Sequence, residues 1–81
     1  MSRLNNSRTA AELEKLKADM DRADSNVKYF EAQVREADGY SAAYPDDYGI
    51  EVWLSESTYQ LEDAKVAYSA AEAAYHKALV D

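Results

Sequence analysis

The chain reads as an all-α protein, an antiparallel two-helix hairpin of coiled-coil type, expected to dimerise into a four-helix assembly. Three observations predict it. Apolar residues recur in alternating steps of three and four through both halves of the 81 residues. The only proline and both glycines cluster in a stretch between those halves. The two periodic runs are nearly equal in length, so the second can fold back along the first. We read residues 1–81 as a single hairpin domain: helix about 9–38, connector about 39–49, helix about 50–80.

The first seam is Leu13, Leu16, Met20, Ala23, Val27, Phe30, Val34 and Ala37, every member apolar. Charged residues fill most positions between them, which is the a/d pattern of a coiled coil sustained over four heptads. Asp24 with Lys28 and Glu31 with Arg35 stand in the favourable i,i+4 order. Thr9-Ala10-Ala11-Glu12 is a capping-box sequence, in which the threonine hydroxyl caps free amides and the glutamate reaches back. Gly39 is the expected C′ residue, because glycine enters the left-handed conformation without steric cost.

The second seam is Ile50, Leu54, Ser57, Leu61, Ala64, Tyr68, Ala71, Tyr75 and Ala78. It alternates large residues with small ones, which lets the larger side chains of the first helix fill the gap. Helices of this length span about 45 Å at 1.5 Å per residue. The start of the second helix is left open between Pro45, Ile50 and a break near Ser55-Glu56-Ser57.

The second helix carries another stripe. Val52, Tyr59, Val66, Ala73 and Val80 recur every seven residues, nearly opposite the seam, and Trp53, Ala67, Ala70 and Ala74 broaden it. A hairpin buries one face of each helix, so this strip faces water, and contiguous apolar strips mark interfaces. Val52, Trp53, Tyr59, Val66, Ala70 and Ala73 are the expected self-association residues. A chain this short buries little apolar surface alone, and oligomerisation is a usual remedy.

The net charge is −7. Between Arg35 and Lys65 there is no basic residue, while Glu36, Asp38, Asp46, Asp47, Glu51, Glu56, Glu62 and Asp63 all lie there. The remaining eight acids face nine bases, so the net charge belongs to the half of the hairpin near its turn. Such a one-signed field repels nucleic-acid phosphates and anionic lipid and steers cationic partners. The connector adds Tyr40, Tyr44 and Tyr48, flat rings with a polar end that suit interfaces. Arginine on a partner stacks on such rings and pairs with nearby carboxylates. The expected partner-binding tip is Glu36, Asp38, Tyr40, Tyr44, Asp46, Asp47, Tyr48, Glu51 and Glu56. The competing reading has the tyrosines and Trp53 closing the end of the hairpin core, with the acids favouring the second helix's N-terminus.

Catalytic and cofactor chemistry find little support. Without cysteine there is neither a disulfide framework nor a thiolate, which fits a reducing compartment. His76 is the lone histidine, and the acids match no EF-hand spacing. Two glycines do not make a phosphate-cradling loop. We therefore expect no enzyme, cofactor, metal, direct nucleic-acid contact or membrane contact. No apolar run approaches the roughly 20 residues of a membrane span, and the N-terminus lacks a signal-type apolar core. The expected location is cytoplasmic, in the host cell if the chain is virus-encoded.

The expected function is a small acidic binding protein whose tip docks on a basic protein surface, as an inhibitor occupying a nucleic-acid-binding groove. Small acidic virus-encoded inhibitors of defence nucleases, anti-CRISPR proteins among them, are of this size and charge; the analogy is one of class, and no motif carries it. The alternative is a homo-oligomeric structural or adaptor protein assembling through the second stripe.

Overall fold

The computed structural model describes residues 9–80, which form two helices, α1 over Ala10–Ala43 and α2 over Tyr48–Val80. They pack against each other along their length as an antiparallel hairpin, two helices thick, with a cross-section of about 15 × 14 Å.

α1 begins on the capping box. The Glu12 N–H donates to Thr9 Oγ1 at 3.0 Å, and the Thr9 N–H donates to Glu12 Oε1 at 2.9 Å. Two amides that the first turn would leave unpaired are thereby satisfied.

The other end of α1 corrects the sequence reading. The helix passes through Gly39 and ends at Ala43, and no glycine has a positive φ. Gly39 is an interior helical residue, not a C′ cap. The actual terminator is Pro45. It has no N–H to continue the ladder and disfavours the helical conformation at the residue before it. Tyr44 accordingly turns out of the helix at φ −130° and ψ 69°, while its N–H still donates to the Tyr40 carbonyl at 2.8 Å.

The connector is thus 44–47, far shorter than 39–49. The Asp47 N–H donates to the Tyr44 carbonyl at 3.1 Å, closing a turn whose second residue is Pro45. Proline presets the backbone angle that this position needs. Asp47 then caps α2: its Oδ1 accepts from the Ile50 N–H at 3.1 Å, and its carbonyl accepts from the Glu51 N–H at 3.1 Å. α2 runs unbroken through Ser55, Glu56 and Ser57 to Val80.

Both seams face each other as the heptads require. Every seam residue is buried or half-buried. The deepest are small: Ala37 is 0 % exposed and Ser57 is 3 % exposed. Leu61, Ala64 and Ala78 complete the buried set. Among the described residues no large side chain is fully enclosed, because two helices cover each other along a ribbon and leave its edges open. A half-covered leucine, valine or phenylalanine contributes on the order of 1 kcal/mol, so this ribbon holds through the number of its contacts.

The five ion pairs among the described residues lie within single helices. Lys15–Asp19, Lys17–Asp21 and Lys28–Asp24 span i,i+4, at 3.0, 3.0 and 3.1 Å. Arg22–Asp19 and Lys65–Glu62 span i,i+3, at 3.2 and 3.9 Å. The Asp24–Lys28 pair forms as its spacing suggests. Glu31 and Arg35 make no such pair, since surface side chains of this length lose rotamer freedom on pairing and gain little in water. Charge orders the flanks of α1, and apolar contact holds the helices together.

Candidate functional site

The candidate site is the closed end of the hairpin. The nine residues expected to form it lie within about 12 Å of helical rise on either side of the turn, at 1.5 Å per residue. Glu36, Asp38 and Tyr40 stand on the last turns of α1, Tyr44 at its cap, and Asp46 in the turn. Asp47 caps α2, Tyr48 is its first residue, Glu51 lies in its first turn and Glu56 two turns on. All nine are exposed.

The three tyrosines do different work. Tyr40 packs on Trp53 with ring centroids 5.9 Å apart and planes tilted by 38°. That contact bridges α1 and α2 and closes the end of the seam. Tyr44 and Tyr48, at 59 % and 78 % exposed, stand out from either side of the turn. Tyr40 both closes the seam and faces solvent, since it touches Trp53 while remaining 50 % exposed.

Trp53, grouped on sequence with the outer stripe, turns toward α1. It is half-buried, touches Tyr40, and its Nε1 donates to Gln33 Oε1 at 3.3 Å. The physical reason is its place beside the seam: it flanks the small-residue edge of α2, where a large ring reaches across to the other helix.

Two shallow depressions mark the surface here. One lies on α1 among Arg35, Glu36, Gly39, Tyr40, Ala43 and Tyr44. The absent side chain of Gly39 opens it; a Cβ built there would meet nothing within 4 Å. The other lies on α2 among Glu51, Leu54, Ser55, Thr58, Tyr59 and Glu62. Both are open to solvent; Glu36 stands beside Arg35 on the first, and Glu51 and Glu62 flank the second. Sequence reasoning missed Arg35 as a member of the tip; its i,i+4 spacing to Gly39 and Ala43 was the available signal.

The electrostatic arrangement is the clearest property of the end. Four of the five ion pairs fall on α1 before Val34 and spend their bases on Asp19, Asp21 and Asp24. Of the acids between Arg35 and Lys65, Glu62 alone has an ion-pair partner among the described residues. Glu36, Asp38, Asp46, Asp47, Glu51, Glu56 and Asp63 present uncompensated charge. No group of three or more His, Asp or Glu residues converges as metal ligands among the described residues. No described helix is long and apolar enough to cross a membrane.

Shifted pKa values occur elsewhere on the rod. The Lys15 ammonium, donating to Asp19, holds that carboxyl below its ordinary value, with Arg22 assisting. Asp21, bonded to Lys17, raises the lysine. Glu72 raises the Tyr68 phenol, with partial burial, Asp24 and Asp21 adding to the effect.

The outer stripe of α2 is also placed. Tyr59, Val66 and Val80 are 72 %, 69 % and 83 % exposed; Ala70 and Ala73 are exposed and Val52 is half-buried. It faces away from α1. Comparison with protein families, with characterised proteins and with solved structures gives no match to this chain.

Proposed function

We propose that the protein is a non-enzymatic binding module whose closed end docks on a basic surface of a partner protein. The single observation that carries this reading is the segregation of charge: Lys15, Lys17, Arg22 and Lys28 on α1 are held in local ion pairs, while six carboxylates about the turn, Glu36, Asp38, Asp46, Asp47, Glu51 and Glu56, have none among the described residues and Arg35 is the one base beside them. Exposed Tyr44 and Tyr48 supply flat contact area at low entropic cost. A groove that binds nucleic acid is such a basic surface, since it recognises phosphate charge, and a cluster of carboxylates can compete for it. The role is then that of an inhibitor occupying the groove.

The test is a capture experiment. Immobilised protein is incubated with nuclease-treated lysate, and bound proteins are challenged with salt or with duplex oligonucleotide. The reading expects basic proteins released by moderate salt and displaced by the oligonucleotide. The variant Glu36→Lys/Asp38→Lys/Asp46→Lys changes no cap and no ion pair, and should lose them while keeping its helicity. Retention of the same proteins by that variant would refute the reading.

A second reading concerns assembly. Exposure of Tyr59, Val66 and Val80, together with the lack of any fully enclosed large side chain among the described residues, favours self-association through the outer face of α2. Because that face lies opposite the seam, two hairpins would form four helices in a row with the α2 pair at the centre. Apolar association of this kind survives salt, whereas tip binding does not.

A further inference from the structure

We infer that the occupant of the outer face of α2 is a second copy of the chain in antiparallel orientation, two-fold symmetric about Val66, with the acidic ends at opposite ends of the dimer. The inference rests on the self-association reading above and adds its geometry.

The stripe Val52, Tyr59, Val66, Ala73, Val80 is evenly spaced about its centre. Antiparallel docking on Val66 sets Val66 on its own copy, Val52 on Val80, and the large Tyr59 ring on the small Ala73. Large on small is the packing that fills an interface without voids. A parallel pair would set Tyr59 on Tyr59 and Ala73 on Ala73, with crowding at one level and a gap two turns away.

Charge selects the same arrangement. The stripe is flanked by acids toward the turn (Glu56, Glu62, Asp63) and by Lys77 toward the open end. In the antiparallel dimer Glu56 lies level with Lys77 of the other copy, and the contact occurs twice. In the parallel dimer Asp63 would stand beside the other copy's Glu62, and the two acidic ends would lie side by side. Like charges across an interface oppose that partner orientation.

The test uses the full chain, which has no native cysteine. Spin labels on Ser55→Cys should read about 35 Å apart in the antiparallel dimer and under about 20 Å in a parallel one, from the 1.5 Å rise over the residues to Val66. Labels on Ser69→Cys should be close in either. Light scattering should give twice 9.1 kDa for the chain and 9.1 kDa for Tyr59→Glu/Val66→Glu with helicity retained. Glu56→Lys and Lys77→Glu should each weaken the dimer about five- to tenfold, and the double variant should recover most of the loss. A short Ser55 distance in a genuine dimer overturns the orientation and leaves self-association standing. A dimer indifferent to Tyr59→Glu/Val66→Glu uses another face and overturns the interface. A monomer at millimolar concentration overturns both this inference and the reading beneath it.

Discussion

Trp53 Nε1 donates to Gln33 Oε1 at 3.3 Å, and among the described residues this is the one side-chain hydrogen bond that crosses from α2 to α1. The same indole packs on Tyr40. One residue therefore makes both a directional and an apolar contact between the helices just inside the turn. Apolar ribbons are tolerant of sliding, and a directional bond is not.

Trp53→Phe keeps a ring against Tyr40 and removes the donor. It should cost about 1 kcal/mol, the net worth of a hydrogen bond. Trp53→Ala loses the ring as well and should cost about 2 kcal/mol, less than a fully buried tryptophan because the indole is half-exposed. Thermal unfolding followed by circular dichroism separates the two; equal losses would mean that the bond to Gln33 contributes nothing.

Gly39→Ala should stabilise the protein by about 0.5–1 kcal/mol. The position is helical, its φ is not positive, and a Cβ meets nothing within 4 Å. Gly49→Ala should not share that gain, since its Cβ would lie 3.3 Å from Asp47 Oδ1, the atom that caps α2. Melting temperatures of the pair, measured side by side, check both signs.

Asp47→Ala should cost about 1 kcal/mol by uncapping α2, whereas Asp47→Asn should keep most of the cap and lose the charge. Partner binding and stability at this residue are thus separable. A loss of partner affinity in Asp47→Asn at unchanged melting temperature would assign the carboxylate to the interface.

Stability should fall at both extremes of pH for identifiable reasons. Asp19 has a lowered pKa, so its contribution is present above the ordinary carboxylate value of 3.8 and is lost as pH falls through the lower folded value. Tyr68 has a raised pKa, so stability is complete below 10.0 and is lost as pH rises through the higher folded value, where a phenolate would face Glu72, Asp24 and Asp21. Lys17, raised from 10.5, loses its contribution in the same alkaline direction. Melting temperature against pH should therefore decline less steeply above pH 10 in Tyr68→Phe than in the parent. Superimposable alkaline limbs would remove Tyr68 from the account.

The seams were legible in the sequence because a 3.5-residue repeat depends only on having a helix on each side, and every seam position from Leu13 to Ala78 is covered as the repeat requires. The end of α1 was not legible from Gly39 alone. A local preference for a cap there is outweighed by a further turn that carries Tyr40 to Trp53, and Pro45 supplies the stronger stop. The cap at Asp47 was obscured because Ile50, three residues on, offers no reciprocal side chain. Trp53 was assigned by its apolarity, while its direction depends on which edge of the seam it occupies. The acidic end was readable as composition; its lack of ion pairs needed the geometry.

A hairpin held by a ribbon, with no sealed interior, resembles a zipper more than a globule. Its helices are joined covalently through 44–47, and at the other end of the rod only side-chain packing such as that of Ala78 holds them together. Opening a few turns at the free end breaks only nearby contacts, while opening near the turn requires everything beyond it to separate first. Amide exchange in the isolated hairpin should slow steadily along both helices toward Trp53, and tension applied between the two termini should peel the helices apart in small steps. The end that presents the carboxylates is then the last part of the rod to lose its shape.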